Sequence, residues 1–239
     1  MHHHHIGGLN VRLTGGTDGQ GGGDGPLVIL LHGYGAPGDD LLVLSQVLTG
    51  PKETRWLFPE GPLSLNMASH DARAWWLIDM ARLEADRVAG RVRDLSSEVP
   101  RGLPHARHAI ETFLTALPNV LEVDFRRTII GGFSQGAMLT CDLVMRTAVP
   151  FAALVQLSGS LLAKQDWRPS VGKRRGLPVF LSHGLQDSVL PHVMAERLRD
   201  ELTQAGLAVE WHSFHGGHEI PEPVLDRVSA FLTKMLSTS

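Results

Sequence analysis

The sequence predicts an α/β domain built on a mostly parallel sheet with helices on both faces. Short apolar runs typical of strands alternate along the chain with segments whose apolar residues recur at helical spacing. Strands that alternate with helices favour parallel pairing, because each helix carries the chain back across the sheet. The 239 residues are 43% hydrophobic, which is enough for a core, and no shift in composition divides them after Pro26. We therefore expect a single domain.

Charge and cysteine content exclude several classes of protein. Lys and Arg number 22 and Asp and Glu number 25, and the net charge of −3 argues against a nucleic-acid-binding surface. The sequence has no run of about 18 apolar residues that could cross a membrane. Cys141 has no second cysteine with which to pair, which favours a reducing compartment. We expect a cytoplasmic protein, unless a signal peptide was removed when a tag was added.

The N-terminal segment differs from the rest of the chain in composition. His2 to His5 indicate an expression tag and not a metal site, so we expect residues 1–8 to be tag and leader and the domain to cover 9–239. The alternating residues Leu9 to Thr14 predict an edge strand. Seven glycines and no apolar side chain between Gly15 and Gly25 predict a mobile loop.

The remaining elements follow in order. Short apolar runs predict strands at 27–31, 55–58, 128–133, 151–157, 178–182 and 208–214. Helical spacing predicts a short helix through Leu41, Leu44 and Leu48, a charged helix within 79–93, and longer helices at 104–117, 135–145, 193–202 and 224–235. The basic run 173–175 is expected to be a solvated loop.

One pentapeptide points to chemistry. Gly132-Phe133-Ser134-Gln135-Gly136 has the form G-x-S-x-G and lies between a predicted strand and a predicted helix. This context is typical of a nucleophile elbow, in which the glycines allow close backbone contact and the helix N-terminus favours developing negative charge. The alternative is an ordinary turn whose serine caps the helix. Ser134 is therefore the candidate nucleophile.

A serine hydroxyl needs a base, and the base needs a carboxylate to orient it. After an elbow of this kind the carboxylate and then the histidine follow in the sequence, each just beyond a strand. Asp187 and His218 fit these positions, because each comes shortly after one of the last two predicted strands.

Other residues compete for the acid and base positions. His215 is the main alternative to His218, which we prefer because Gly216-Gly217 would give it a flexible approach to the site. The sequence places the remaining candidates less well. Asp142 and Asp200 lie within predicted helices, and Asp166 follows no strand closely. His183 lies directly at a strand end, His212 lies within a strand, and His192 opens a helix.

Preformed donors are also needed for an oxyanion. One is the backbone N–H of Gln135, the residue after the serine. The other should come from the loop after an earlier strand, where His32-Gly33-Tyr34-Gly35 makes the amide of Tyr34 the candidate. A plain glycine-rich turn is the alternative for this loop.

Taken together, four motifs resemble the phospholipase/carboxylesterase family, which includes acyl-protein thioesterases and small bacterial carboxylesterases of the α/β-hydrolase fold. The motifs are Leu31-His32-Gly33-Tyr34-Gly35, Gly131 to Gly136, His183-Gly184-x-x-Asp187 and Gly217-His218-Glu219-Ile220, and the resemblance covers about Pro26 to Leu236. It implies a serine hydrolase without a large cap domain, cofactor or metal. It further implies a triad of Ser134, Asp187 and His218 with oxyanion donors at Tyr34 and Gln135.

The resemblance also suggests substrates. Trp75 and Trp76 fall where the family often has a tryptophan near the substrate, so one of them is expected to wall the pocket; the alternative is that they anchor the core. A pocket narrowed by these rings and by the segment 69–100 predicts short-chain acyl esters. Long-chain acyl-protein thioesterase or lysophospholipase activity is the alternative, and a catalytically silent binding module is another. A small-molecule ester is the expected partner, a homodimer is allowed, and Cys141 is expected to be an inert core thiol.

Overall fold

The computed structural model describes residues 2–65, 71–90, 94–167 and 170–237. The strands in these ranges are β1 (His2–Ile6), β2 (Leu9–Gly16), β3 (Gln20–Gly22), β4 (Leu27–Leu31), β5 (Arg55–Pro59), β6 (Leu63–Leu65), β7 (Ala72–Ala74), β8 (Thr128–Phe133), β9 (Ala153–Leu157), β10 (Pro178–Gly184) and β11 (Ala208–Phe214). The α-helices are α1 (Leu44–Val47), α2 (Met80–Val88), α3 (Leu103–Ala116), α4 (Gln135–Arg146), α5 (Lys164–Trp167), α6 (His192–Gln204) and α7 (Glu222–Leu236). Short 3₁₀ turns cover Asp40–Val43, Leu117–Asn119, Phe125–Arg127 and Val171–Arg174.

A mostly parallel sheet forms the centre of the molecule, as the alternation of strands and helices predicts. Its order is β1-β2-β5-β4-β8-β9-β10-β11, with β3 beside β2. The strands from β5 to β11 in that order pair in parallel, whereas β2 pairs antiparallel with both β1 and β5. Because the carboxyl ends of parallel strands meet at one edge, the loops after β4, β8, β10 and β11 all emerge on the same side.

Helices cover both faces of this sheet. Successive side chains of a strand point to opposite faces, and in β4 Val28 and Leu30 pack with residues of α1 and α7. Ile29 and Leu31 pack instead in a second apolar cluster with residues of α3, α4 and α6. The strand is buried along its whole length for this reason. Among the described residues no helix is both long enough and apolar enough to span a membrane.

The N-terminal segment, which the sequence analysis separates from the domain, lies in the sheet. His2–Ile6 forms β1 and pairs antiparallel with β2, and the side chain of Ile6 is buried. Ile6 packs in the apolar core, and the run of histidines before it gave no sign of this contact. The sheet therefore has one more edge strand than the sequence predicts, and this strand precedes residue 9.

The glycine-rich stretch is also more ordered than the predicted mobile loop. Strand β2 continues to Gly16, and β3 pairs with it in parallel. A Cβ on Gly16 would lie 2.2 Å from the carbonyl oxygen of Gly22, so only glycine allows the two backbones to approach this closely. The prediction was wrong because it counted side chains that could be buried, whereas backbone pairing holds this stretch.

The basic run 173–175 is a second correction. Lys173 and Arg175 are exposed, but Arg174 is buried and donates hydrogen bonds to three carbonyl oxygens at the end of α4. The oxygens belong to Val144 and Val149, both at 2.8 Å, and to Thr147. The last carbonyls of a helix lack partners within the helix, and Arg174 supplies donors to that end.

The predicted helix within 79–93 is shorter, because α2 ends at Val88 and residues 91–93 lie outside the described ranges. Most of α2 is exposed. The short helix predicted through Leu41, Leu44 and Leu48 is a 3₁₀ turn that continues into the single turn of α1.

Candidate active site

Ser134 lies on the sharp turn between β8 and α4. Its backbone has φ 54° and ψ −116°, a conformation that non-glycine residues rarely adopt. A Cβ on Gly136 would lie 2.0 Å from the carbonyl oxygen of Leu31, and one on Gly132 would lie 2.5 Å from the same oxygen. The end of β4 thus passes directly against the turn, which explains why both positions are glycine.

Three predicted side chains come together at this turn. The hydroxyl of Ser134 lies 2.8 Å from Nε2 of His218, and Nδ1 of His218 lies 2.6 Å from Oδ2 of Asp187. Ser134 follows β8, Asp187 follows β10 and His218 follows β11, so the shared edge of the sheet assembles the group. In this arrangement the hydroxyl can donate to Nε2 while Nδ1–H donates to the carboxylate.

The carboxylate of Asp187 is fully enclosed and strongly hydrogen-bonded. Its Oδ1 accepts from the amides of Val189 and Leu190, both at 2.8 Å. Burial alone would raise the pKa of Asp187, but hydrogen bonds from His183 and His218, the charge of His218 and the amide of Leu190 outweigh it. The pKa is held well below its ordinary value, so the carboxylate stays charged beside the imidazole.

His183 is a neighbour of this carboxylate that the sequence analysis did not place in the site. It is completely buried at the end of β10, and its Nε2 lies 2.7 Å from the carbonyl oxygen of Leu190 and 3.2 Å from Oδ2 of Asp187. Both neighbours accept hydrogen bonds, so Nε2 carries the proton. The spacing of four residues between His183 and Asp187 was visible in the sequence, but it gave no sign that the loop would fold back.

The other competing residues are exposed or have other partners. His215 is exposed, His212 lies within β11 beside Glu210, and His192 opens α6 and contacts Ser213. The other aspartates are held by arginines: Asp142 by Arg107 and Arg146, Asp166 by Arg146, and Asp200 by Arg199. Cys141 is buried within α4, and burial raises the pKa of its thiol.

The glycines before His218 do not have unusual backbone conformations. Neither Gly216 nor Gly217 has a positive φ, so neither position requires glycine on that ground, and the flexible approach of His218 stays a prediction. The constrained glycine is Gly184, where a Cβ would lie 2.2 Å from the carbonyl oxygen of Gly217. The two loops that carry the acid and the base are therefore in direct backbone contact.

The residues of the two predicted oxyanion donors, Tyr34 and Gln135, both lie near the serine in the fold. Gln135 is the first residue of α4, and Tyr34 follows Gly33, where a Cβ would lie 3.4 Å from Cβ of Ser134. Within the ranges that the structure describes, neither amide donates to a protein acceptor. Both amides are thus available to a negatively charged oxygen near Ser134.

Both tryptophans lie in the core, which corrects the prediction that one of them walls the pocket. Trp75 and Trp76 are 1% and 3% exposed. The side-chain amide of Gln135 accepts from the backbone N–H of Trp75 at 2.9 Å and donates to the carbonyl oxygen of Trp76 at 2.8 Å. Their rings pack in the apolar cluster that also contains residues of α3 and α4, which favours the alternative that they anchor the core.

Phe133 adds an aromatic neighbour to the histidine. Its ring centroid lies 4.8 Å from that of His218, at an interplanar angle of 45°.

No group of three or more metal-binding side chains occurs in the part of the chain that the structure describes. The side chains that meet at the turn are a serine hydroxyl, an imidazole and a buried carboxylate.

Comparison with known proteins identifies the family of the chain. Residues 22–236 match the family model described as phospholipase/carboxylesterase. The chain belongs to the phospholipase/carboxylesterase family. The crystal structure of esterase PE8 superposes with a TM-score of 0.78 at 28% identity, covering 95% of this chain and 99% of that one. The carboxylesterase of Bacillus cereus has the same fold, with a TM-score of 0.69 at 18% identity over 95% and 94% of the two chains.

Curated relatives of the family are named as acyl-protein thioesterases. Acyl-protein thioesterase 1 homolog 1 of Dictyostelium discoideum is 30% identical over 151 residues, which are 61% of this chain and 66% of the relative. Acyl-protein thioesterase 1 of Neurospora crassa is 31% identical over 114 residues, 46% of each chain. The alignments thus span about half to two thirds of these two relatives, and they fit the family without specifying a substrate.

Proposed function

We propose that this member of the phospholipase/carboxylesterase family is a serine hydrolase that cleaves carboxylic esters through an acyl-enzyme. The observation that carries the proposal is the imidazole of His218, which lies 2.8 Å from the hydroxyl of Ser134 and 2.6 Å from the carboxylate of Asp187. Family membership over residues 22–236 supports it independently. A catalytically silent module would not need a serine held in a strained backbone conformation beside a base.

In the first half of the reaction, Ser134 Oγ attacks the ester carbonyl carbon while Nε2 of His218 takes the hydroxyl proton. The carbonyl π electrons move to the oxygen, which the amides of Tyr34 and Gln135 then stabilise. The intermediate collapses with loss of the alcohol, which takes the proton back from His218. The charged carboxylate of Asp187 orients the imidazole and stabilises its protonated form.

Water completes the cycle. His218 removes a proton from a water molecule as it attacks the acyl carbon, and the second tetrahedral intermediate uses the same two amides. Its collapse breaks the bond to Ser134 Oγ, which takes the proton from His218. The products are the carboxylic acid and the free enzyme, so neither a metal nor a cofactor enters the balance.

Covalent labelling tests this proposal directly. An alkyl fluorophosphonate should form one adduct per chain, and peptide mass spectrometry should find it on Ser134. Ser158 gives a matched control, because it is also a serine with positive φ at the end of a central strand. Ser158→Ala should label as the wild type does, and Ser134→Ala should not. An adduct on another residue, or no adduct, would count against the proposal.

A thioesterase acting on long acyl chains is the second candidate, favoured by the names of the curated relatives. The expected preference for short chains depended on Trp75 or Trp76 at the pocket, and both are buried. Measuring kcat/KM for p-nitrophenyl esters of increasing chain length, and for an S-palmitoyl peptide, would distinguish the two candidate functions. A maximum of kcat/KM at about C2 to C6 supports a simple carboxylesterase, whereas turnover of the thioester with a rise toward long chains supports the alternative.

Two further expectations remain predictions. The prediction of a cytoplasmic location is based on the single cysteine, Cys141, which has no partner for a disulfide. Fractionation of cells of the natural host would test it. A homodimer would be recognised by light scattering of the purified chain. Family membership favours a small-molecule ester as the binding partner.

A further inference from the structure

The loop that follows β4 is held by the side chain of a buried histidine. His32 is 1% exposed, and its Nδ1 lies 2.7 Å from the carbonyl oxygen of the next residue, Gly33. On the other side of the ring, Nε2 accepts a hydrogen bond from the backbone N–H of Gly61 at 2.9 Å. The imidazole thus connects the loop after β4 to the segment after β5.

These two contacts determine where the ring carries its proton. The carbonyl of Gly33 can only accept, so Nδ1 must be protonated, and the N–H of Gly61 can only donate, so Nε2 must not be. Burial lowers the pKa of His32, although the bond to Gly33 opposes the effect, and this favours the neutral ring. A single tautomer, with the proton on Nδ1, satisfies both partners.

The carbonyl that His32 holds belongs to the same peptide unit as the amide of Tyr34. In a trans peptide the C=O of one residue and the N–H of the next point in opposite directions within one plane. Fixing the direction of the Gly33 oxygen therefore fixes the direction of the Tyr34 N–H. The same glycine lies against the site, since a Cβ there would be 3.4 Å from Cβ of Ser134 and 3.2 Å from Cδ1 of Phe133.

The preceding peptide unit is held as well. The indole N–H of Trp75 donates to the carbonyl oxygen of His32 at 3.0 Å, and the backbone of Trp75 is tied to the side chain of Gln135. Two consecutive peptide units are therefore oriented by two buried side chains. A loop that served only as a glycine-rich turn would not need this pair of directed contacts.

We propose that His32 is a positioning residue that aims the amide of Tyr34 at the developing oxyanion, and that the amide of Gly61 sets the tautomer needed for this. The inference rests on the proposed ester hydrolysis at Ser134. It extends that proposal by assigning the direction of one oxyanion donor to a side chain that does not touch the substrate.

Two amide substitutions separate positioning from packing. In His32→Asn the side-chain amide nitrogen can take the place of Nδ1 and donate to Gly33, whereas in His32→Gln the amide reaches the place of Nε2 and can accept from Gly61. Loss of one aimed oxyanion donor lowers kcat by about 10²-fold in other hydrolases. We expect this loss in His32→Gln with little change in KM, and recovery to within about 10-fold of wild type in His32→Asn.

Affinity for a trifluoromethyl ketone gives a second measurement, because its adduct with serine carries the oxyanion. The Kd should rise in His32→Gln and change little in His32→Asn, while both variants lose similar stability in urea. Equal loss of kcat in the two variants, or a larger loss in His32→Asn, would overturn the proposal. If neither variant folds, a two-bond ¹H–¹⁵N spectrum of the wild type decides, because a proton on Nε2 of His32 is incompatible with the inference.

Failure of the underlying function has a different signature. If the wild type neither hydrolyses esters nor reacts with a fluorophosphonate at Ser134, the proposed function itself is wrong. If the wild type is active and labelled but the two His32 variants do not differ in the expected order, only the inference about His32 is wrong.

Discussion

The two sides of the site are built in different ways. The serine side, residues 31–36 and 131–137, places Ser134 by a short turn whose glycines contact the end of β4. The histidine side, residues 183–191 and 214–220, places its acid and base on separate loops that are joined by backbone hydrogen bonds. The amides of Leu185 and Gln186 donate to the carbonyl oxygens of Phe214 and Gly216, each at 2.9 Å.

This difference teaches how local each part of the chemistry is. On the serine side the turn itself consists of five consecutive residues, so one motif in the sequence describes it, although the turn packs against the end of β4. On the histidine side Asp187 and His218 are 31 positions apart in the sequence, and their alignment depends on contacts between two loops. Substitutions within the turn should therefore affect hydrolysis and stability on the serine side. On the histidine side, substitutions of Asp187 and His218 should have the main effects.

Removing the nucleophile should have the largest effect. Ser134→Ala deletes one hydroxyl, so ester hydrolysis should fall by about 10⁴-fold or more while the fold persists. The measurement is kcat/KM for p-nitrophenyl butyrate together with a urea unfolding curve. Near-normal turnover by this variant would show that the serine side does not carry the reaction.

Removing the base should be nearly as severe and should distinguish the two rival histidines. Wild-type activity should rise with pH, because the base must be unprotonated to accept the proton of the serine hydroxyl. His218→Ala should abolish this dependence and most of the rate, by about 10³-fold or more. His215→Ala is the matched control, and it should keep both the rate and the pH profile because His215 is exposed.

The opposite behaviour of the two variants would overturn the assignment of the histidine side. A loss of the pH dependence in His215→Ala, with His218→Ala close to wild type, would place the base three residues earlier. The rate and the profile must change together, because a change in rate alone would also follow from a local rearrangement of the loop.

A pair of glycine substitutions compares how much backbone constraint each side contains. Gly136→Ala places a methyl group 2.0 Å from the carbonyl oxygen of Leu31, and this contact is between backbone elements that cannot easily move. It should cost about 1–3 kcal/mol of unfolding free energy and displace the serine. Gly217→Ala on the histidine side meets nothing within 4 Å and should change stability by less than about 0.5 kcal/mol.

Urea unfolding of the two variants gives the comparison, with hydrolysis as the second measurement. Equal destabilisation would mean that the close contact of β4 with the elbow does not constrain the serine side. A large cost for Gly217→Ala would mean that the histidine side has a backbone constraint that the static contacts do not reveal.

The sequence predicted the parts of this molecule that depend on local pattern. Apolar runs and helical spacing gave the parallel sheet and its helices, and G-x-S-x-G gave the turn at Ser134. Chain order pointed to Asp187 and to either His218 or His215, because parallel strands bring their carboxyl ends to one edge. These inferences need no knowledge of which residues meet across the fold.

The parts that were missed depend on partners distant in the sequence. Arg174 looked like a surface residue until the end of α4, about 30 positions earlier, proved to supply its acceptors. Trp75 looked like a pocket residue, but its acceptor on His32 lies 43 positions away and holds it in the core. A polar or aromatic side chain has no fixed place until the fold provides its partner, so composition and spacing could not place these two.

The last expected effect, a change of stability with pH, concerns the acid on the histidine side. Hydrogen bonds hold the pKa of Asp187 below its ordinary value despite burial, so the folded protein keeps this carboxylate charged at pH values where the unfolded chain takes up a proton. A group of this kind stabilises the fold above its unfolded pKa, about 3.9 for Asp, and the contribution is lost as the pH falls through the lower, folded pKa. Asp187→Asn should therefore be less stable than wild type at pH 5, and the difference should narrow as the pH falls below about 4. Urea unfolding between pH 5 and the lowest pH at which both proteins fold measures this, with Asp226→Asn on α7 as the control for the loss of one exposed charge. A difference that stays constant or widens over this range would mean that the contacts of Asp187 with His183, His218 and Leu190 do not favour its charged form.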